Sequence, residues 1–171
     1  MTGTEFRSAF HQHKDAIYRF AWRITGSPEI AEDIVQEVFL ALLCHPNRFD
    51  CLRGELRPFL LGIARNLALK CWRQENRWDV LTDEDYEAPP LDVTRSETVE
   101  TVGLAVRALP PLQREVLVLA EYEGLSLVEI AQAVEAEVGT VKGRLHRARE
   151  NLRRMLAPLK PDVVRTSKCN R

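Results

Sequence analysis

The stretch Ser126–Arg149 most narrows the folds open to this chain, because it has the pattern of two short helices joined by a tight turn. Ser126 precedes Glu129 by three residues, which is the spacing of a capping box at a helix start. Gly139 and Thr140 begin the second predicted helix. Its apolar positions recur at intervals of four, three and four residues, at Val141, Leu145, Ala148 and Leu152. The pattern predicts a helix-turn-helix.

The second predicted helix also carries a dense set of cations beside its apolar stripe. They are Lys142, Arg144, Arg147, Arg149, Arg153 and Arg154. A helix that packs through one face and is cationic over the rest can lie in a DNA major groove. The alternative is a solvated amphipathic helix. Two details favour the helix-turn-helix: small Ala131 lies where the helices must approach closely, and Val141 follows ten residues later, where a contact back to the first helix is needed.

Charge is unevenly distributed along the chain, although the net charge is only −1. Residues 1–77 carry 11 Lys and Arg against 9 Asp and Glu, residues 78–101 carry 1 against 8, and residues 102–171 carry 12 against 8. Local fields decide where a polyanion docks, so the neutral average does not exclude DNA. The acidic segment has no apolar period and is predicted to be a flexible linker between two helical blocks.

Several function classes find no support in the sequence. No uncharged apolar run approaches the ~18 residues that span a bilayer, and the N-terminus has no apolar signal core, so we expect a cytoplasmic chain. The four cysteines, Cys44, Cys51, Cys71 and Cys169, have spacings that fit neither a zinc module nor a disulfide framework. We expect no metal, no cofactor and no enzymatic activity, since no catalytic triad order or phosphate loop is present.

Three amphipathic helices are predicted in the N-terminal block. The first follows an apolar pattern from Phe6 to Ile24. Ser27 is expected to cap the second, at about 28–44, and the third, at about 58–77, is expected to start with Pro58 at its first position. The outer side of the second helix is acidic and polar, with Glu32, Asp33, Gln36 and Glu37. The third is apolar at Leu60, Ile63, Ala64, Leu67 and Cys71.

The C-terminal block adds a predicted helix at 99–109 and another at 111–122, which Gly124 ends just before the helix-turn-helix. The fold class is therefore all-α, with two small helical domains joined by a flexible acidic linker. The predicted boundaries are 1–77 for the first domain, 78–98 for the linker and 99–157 for the second domain. A basic tail at 158–171 is predicted to be disordered.

Four segments together resemble the extracytoplasmic-function (ECF) group of bacterial sigma factors. They are AEDIVQEVFLALL (31–43), GELRPFLLGIARNLALKCWRQ (54–74), LPPLQREVLVLAEYEGLSLVEIA (109–131) and VGTVKGRLHRAR (138–149). The resemblance covers roughly residues 5–157 and identifies the two blocks with sigma region 2 and sigma region 4. It implies a protein that binds core RNA polymerase, recognises the −35 and −10 promoter elements and promotes DNA opening. It also implies a cognate anti-sigma factor.

The resemblance assigns roles to individual residues. Those expected to face double-stranded DNA at −35 are Thr140, Lys142, Arg144, His146, Arg147 and Arg149. Those expected to face single-stranded DNA at −10 are Asn47, Arg65, Asn66, Lys70 and Arg73. Those expected to dock on the clamp helices of the largest polymerase subunit are Asp33, Gln36 and Glu37. Phe59 stands where the family often has tryptophan, and we expect its ring to brace the loop 47–55 rather than to touch DNA.

Two residues depart from the usual pattern. Gly143 stands where the family commonly has serine, which leaves the exact −35 sequence open. Glu135 replaces the turn glycine of many helix-turn-helix proteins, so the sequence does not predict a left-handed residue there. A conventional helix-turn-helix repressor or activator that is not a polymerase subunit is the alternative function, although it leaves the first block unexplained.

Overall fold

The computed structural model describes residues 2–50, 52, 54–75 and 98–157, and these residues form helices with no strand among them. The N-terminal half consists of three helices and one short turn of 3₁₀ helix. Helix α1 spans Gly3–Thr25, α2 spans Pro28–Cys44, the 3₁₀ turn spans Pro46–Arg48 and α3 spans Leu56–Glu75. The all-α class predicted from the sequence is confirmed.

The C-terminal half begins with α4 at Thr98–Ala108 and α5 at Pro111–Leu117. Helix α5 continues as a π-helical turn over Val118–Tyr122, in which the Glu123 N–H donates to the Val118 carbonyl five residues back, at 3.1 Å. Helix α6 at Leu127–Ala133 and α7 at Val138–Met155 complete the fold. The predicted linker 78–98, except for its last residue, and the predicted tail 158–171 lie outside the described residues.

Local capping sets the ends of the helices of the N-terminal half. The Glu5 N–H donates to Thr2 Oγ1 at 3.3 Å, and the Thr2 N–H donates to the Glu5 carboxylate at 2.6 Å, which makes a capping box at α1. Gly26 ends α1 with φ of 78°. The predicted cap of α2 is confirmed, since the Ile30 N–H donates to Ser27 Oγ at 3.3 Å.

The predicted start of α3 is two residues too late. The helix begins at Leu56, so Pro58 occupies its third position rather than its first. Proline is tolerated there because the first turn of a helix contains N–H groups that have no partner within the helix. Helix α3 therefore reaches two residues further towards the loop before it.

One continuous cluster of buried apolar side chains runs through both halves, from Ile17 and Phe20 to Val141 and Met155. Helix α3 lies at its centre and packs against α1 and α2 as well as against α6. The buried face of α3 is not the same as the apolar face found in the sequence. Leu61, Ala68 and Leu69 are also buried, whereas Ile63, Leu67 and Cys71 are half-buried. The difference arises because α3 is covered from more than one side.

None of the described helices is both long enough and apolar enough to cross a membrane.

Candidate nucleic-acid and protein interfaces

Helices α6 and α7 form the helix-turn-helix that the sequence predicts. The Glu129 N–H donates to Ser126 Oγ at 3.3 Å, and the Ser126 N–H donates to the Glu129 carboxylate at 2.7 Å, so both parts of the capping box are present. These hydrogen bonds from Ser126 lower the pKa of the Glu129 carboxyl. The turn between the helices contains Glu135 at φ of 52°. The residue that replaces the usual glycine therefore does adopt the left-handed conformation.

Helix α7 separates an apolar side from a polar side. Val141, Leu145 and Ala148 are buried. Five of the six residues predicted to face the −35 element are exposed, namely Thr140, Lys142, His146, Arg147 and Arg149. Arg149 also forms an ion pair with Glu121, with 2.6 Å between Nη2 and Oε1, and both side chains remain about half exposed. This side of α7 is therefore open to a polyanion.

Arg144 is the exception among the predicted −35 residues, because only 15% of its side chain is exposed. Its Nη1 atom lies 3.8 Å from Oε1 of the buried Glu115. Arg65, predicted to face the −10 strand, binds the same carboxylate. The structure thus brings together two arginines that the sequence assigned to different DNA elements.

Two of the other predicted −10 residues line a cleft of about 670 Å³ between the 3₁₀ turn, α3 and α6. Asn47 and Asn66 line it from the N-terminal half, and both are exposed. The rings of Phe49 and Phe59 lie 5.4 Å apart at one wall, in agreement with a bracing role for Phe59. Further along α3 the remaining members of the set, Lys70 and Arg73, are exposed. A cleft with amide groups and cations alongside suits an unstacked nucleotide.

The predicted polymerase-docking residues Asp33, Gln36 and Glu37 lie on the exposed side of α2. Glu32 extends this acidic face, while Ile34 on the opposite side is buried in the core. The face is therefore presented to solvent by a helix whose other side is fixed. Within the part of the chain that the structure describes, no group of three or more His, Cys, Asp and Glu side chains is placed to hold a metal ion.

Glu115 and Glu123 are buried carboxylates that the sequence pattern did not single out. Glu115 follows Leu112 by three residues and precedes Leu119 by four, so it shares their buried face of the helix. That position on the buried face is the one signal in the sequence that Glu115 has a charged partner, since a buried charge is costly without one. The partner itself was not predictable from the pattern, because Arg65 is 50 residues away in the chain.

Comparison with known proteins agrees with this geometry. The Sigma-70 region 2 family matches residues 9–78, and the Sigma-70 region 4 family matches residues 100–152. The ECF RNA polymerase sigma factor SigW of Bacillus subtilis is 33% identical over 162 residues, which cover 86% of each chain. The chain belongs to the ECF family of RNA polymerase sigma factors. The resemblance stated from its four segments is confirmed.

Other relatives of this ECF sigma factor differ in length. The ECF RNA polymerase sigma factor SigE of Mycolicibacterium smegmatis is 33% identical over 154 residues, which cover 85% of this chain but 59% of SigE. Among solved structures, the sigma factor RpoE in complex with the anti-sigma factor NepR, from Bartonella quintana, has a TM-score of 0.71 at 24% identity over 90% of this chain and 97% of RpoE. CnrH in complex with the cytosolic domain of CnrY has a TM-score of 0.69 at 23% identity, over 92% of this chain and 90% of CnrH. These two structures share the fold.

Proposed function

We propose that this ECF sigma factor binds core RNA polymerase, recognises the −35 and −10 promoter elements and promotes the opening of DNA for transcription initiation. The observation that carries the proposal is the separation of two exposed faces of opposite charge on different helices. The acidic face of α2 suits a basic protein surface, and the cationic side of α7 suits DNA. A conventional repressor or activator needs only the second face.

The α2 face supports docking on a basic coiled coil such as the polymerase clamp helices. Asp33 and Glu37 lie four residues apart and so project from the same side of the helix, with Gln36 beside them. Complementary charge across such a contact contributes orientation and association rate more than affinity. We therefore assign this face the task of placing the factor on the polymerase.

The α7 face supports recognition of the −35 duplex. Thr140 lies in the first turn of an 18-residue helix, where free backbone N–H groups favour a phosphate. His146 and Arg147 project further along, where a recognition helix meets the base edges. An arginine that binds guanine through two hydrogen bonds discriminates between bases, whereas Lys142 on a phosphate fixes position. We therefore assign α7 the reading of the upstream element.

The cleft beside α3 supports the capture of a −10 nucleotide. Extruding a base from the duplex costs a few kcal/mol, which a pocket and nearby cations must offset. Asn47 and Asn66 offer amide groups within the cleft, and Lys70 and Arg73 follow the direction that a displaced strand would take along α3. We assign opening to this domain.

A run-off transcription assay with core polymerase tests the proposal. Templates would come from the organism's own DNA, and start sites would be read by sequencing the 5′ ends of the transcripts. We expect discrete starts that require both the factor and core polymerase, preceded by a shared pair of elements. Specific DNA binding without any core-dependent starts would instead identify a conventional helix-turn-helix regulator.

We also infer an anti-sigma factor as the regulatory partner, acting in the cytoplasm where transcription takes place. The support is that RpoE and CnrH, which share the fold, were solved in complexes, the first with the anti-sigma factor NepR and the second with the cytosolic domain of CnrY. Purification of the tagged chain from its own organism, with identification of stoichiometric partners, tests this. A partner that abolishes the run-off signal is expected, and recovery of polymerase subunits alone would contradict it.

A further inference from the structure

An ion pair within the C-terminal half holds one of the cations on the exposed side of α7. Arg149 donates to Glu121 Oε1 from two nitrogen atoms, at 3.1 Å from Nε and 2.6 Å from Nη2. Arg149 lies in α7, and Glu121 lies in the π-helical turn that follows α5. Both side chains are about half exposed, so the pair stands at the surface of the molecule.

Arg149 belongs to a row of exposed basic side chains along α7. It follows Lys142 by seven residues, which is about two helical turns, so the two side chains project from nearly the same side. His146 lies between them along the helix, and all three residues are exposed. The proposed function assigns this row to the −35 duplex. Because Glu121 binds Arg149, a carboxylate stands beside the surface that is to meet DNA.

The carboxylate limits the hydrogen bonds that Arg149 can offer to DNA. A guanidinium carries five N–H donors, one on Nε and two on each Nη atom. Glu121 accepts from Nε and from Nη2, so the edge formed by these two atoms is occupied. The donors of the edge formed by Nη1 and Nη2 still face outwards. Arg149 can therefore meet an acceptor on DNA end-on while its side edge stays on Glu121.

The pair also weakens the attraction of Arg149 for phosphates. Binding to the DNA backbone depends on cations that neutralise phosphates and release counterions, and it carries no sequence information. The charges of Arg149 and Glu121 cancel at a distance, so Arg149 adds less to this unselective attraction than a cation without a partner would. An end-on hydrogen bond keeps its value, because it depends only on the donors that face outwards.

We propose that Glu121 determines specificity at the −35 surface, by positioning Arg149 and by neutralising it towards unselected phosphates. The proposal rests on the proposed function, since it concerns how α7 reads duplex DNA. It does not depend on how the two halves of the molecule are arranged, because both residues belong to the C-terminal half. A duplex with an acceptor opposite the outer edge of Arg149 gains the end-on contact, whereas any other duplex gains little from this residue.

The first test examines the ion pair in the full chain without DNA. The Nε–H signal of Arg149 is identified in a nitrogen-correlated NMR spectrum by its loss in Arg149→Gln. Glu121→Gln is expected to shift that signal, because Nε loses a charged acceptor. Glu150→Gln is the matched control and should leave the signal in place, since Glu150 pairs with Arg153 within α7. A signal that Glu121→Gln does not move would overturn the positioning of Arg149.

The second test measures how well the holoenzyme discriminates between two promoter duplexes. One carries the −35 element mapped from transcript starts, and the other has that element scrambled while its −10 element is kept. The Kd for the scrambled duplex divided by the Kd for the intact duplex measures the discrimination.

Coupling within an exposed ion pair is modest, so we expect Glu121→Gln to reduce this ratio about threefold, through tighter binding of the scrambled duplex. Glu150→Gln removes the same charge from the same half of the molecule and should leave the ratio nearly unchanged. Equal reductions in both variants would overturn the proposal, because they would show an effect of general charge.

A double-mutant comparison shows whether Glu121 acts through Arg149. In the Arg149→Gln holoenzyme, Glu121→Gln should change the ratio no more than Glu150→Gln does, because no guanidinium remains to be released. In the unaltered background, Glu121→Gln should also make binding of the scrambled duplex more dependent on salt, by up to about one phosphate contact. A purely structural role would not move the salt dependence. An equal effect of Glu121→Gln in both backgrounds would overturn the proposal.

The variants are expected to fold, since Glu121 and Arg149 are about half exposed and water can solvate whichever partner remains. Failure of this inference can be told from failure of the proposed function. If the holoenzyme starts at the mapped promoters and Glu121→Gln leaves the ratio unchanged, the inference is wrong and the proposed function stands. If no core-dependent starts arise, the proposed function is wrong, and the NMR comparison still decides whether Glu121 holds Arg149.

Discussion

Arg147 lies on the exposed side of α7 and is among the residues that the family resemblance assigns to the −35 major groove. Arg147→Ala is expected to weaken binding of the holoenzyme to its promoter by about 1–3 kcal/mol, because a two-bond contact to guanine is lost. The measurement is the Kd at fixed salt for a duplex spanning both elements. Arg153→Ala is the control, since it removes an exposed arginine further along the same helix. Equal losses in both variants would indicate that Arg147 contributes only general charge.

Glu135 holds a left-handed conformation, with φ of 52°, in the turn between α6 and α7. This conformation is unfavourable by roughly 1–2 kcal/mol for a residue with a Cβ atom. Glycine avoids that strain, but it loses more conformational entropy on folding, so the net gain in stability is smaller than the strain relieved. Glu135→Gly is therefore expected to raise the free energy of unfolding by up to about 1 kcal/mol. Urea unfolding followed by circular dichroism measures it. Glu135→Ala keeps the strain while removing the carboxylate, so a similar gain from alanine would contradict the backbone explanation.

His13 is buried in α1, and this burial, together with the positive charge of Arg57, lowers the pKa of its imidazole. The unfolded chain, with an ordinary pKa of about 6.5, binds more protons than the folded chain just below that value. Stability is therefore expected to fall as pH decreases from about 6.5 towards the lowered folded pKa. Urea midpoints at about pH 7.5 and 5.5 test this, and His13→Gln should show the smaller fall. An identical fall in the variant would show that other groups cause it.

At the scale of the element, the acidic face of α2 is expected to act as a unit in docking. Glu37→Lys reverses one of its charges and should weaken binding to core polymerase mainly by slowing association, because charge complementarity governs the rate of encounter. Surface plasmon resonance with immobilised core polymerase separates the two rate constants. Asp15→Lys makes the same charge change on the exposed side of α1. Association slowed equally by both variants would argue against a specific docking face.

The helices were largely predictable, because the interactions that start and end them are local in sequence. Ser27 and Ser126 cap the helices as predicted, and Gly124 ends the preceding segment with φ of 67°. Each of these depends on residues within one turn. The start of α3 was predicted less well, since Pro58 is compatible with several positions in the first turn.

The arrangement of the candidate site was less predictable than its residues. The exposed positions of α7 follow from the period of its apolar stripe, whereas the withdrawal of Arg144 does not. That withdrawal depends on Glu115, and on Arg65 from a helix 50 residues earlier. A single sequence gives the polarity of each face, but the partner of a buried carboxylate is decided by packing between distant helices.

At the scale of the whole molecule, the apolar cluster that crosses both halves predicts one cooperative unfolding transition. Differential scanning calorimetry of the full chain should show a single peak whose calorimetric and van't Hoff enthalpies agree. Gly62→Ala is expected to broaden or split that peak, because a Cβ atom at residue 62 of α3 would lie 3.1 Å from the Ala133 carbonyl oxygen of α6 and so disturb the contact between the two halves. Two resolved peaks in the unaltered chain would indicate that the halves unfold independently.

The π-helical turn at Val118–Tyr122 determines the direction around the helix axis in which the residue after it points. A residue of α-helix advances the chain by about 100° around the axis, so the extra residue in this turn rotates the end of the same helix by that amount. Glu123, the next residue, is thereby directed at Arg57 of α3, with 2.7 Å between its Oε2 atom and Arg57 Nη2. A deletion of one residue in the turn would restore the ordinary phase and direct the carboxylate elsewhere. The fit of the two halves therefore depends on the rotational register of one short helix as much as on the identity of the charges it carries.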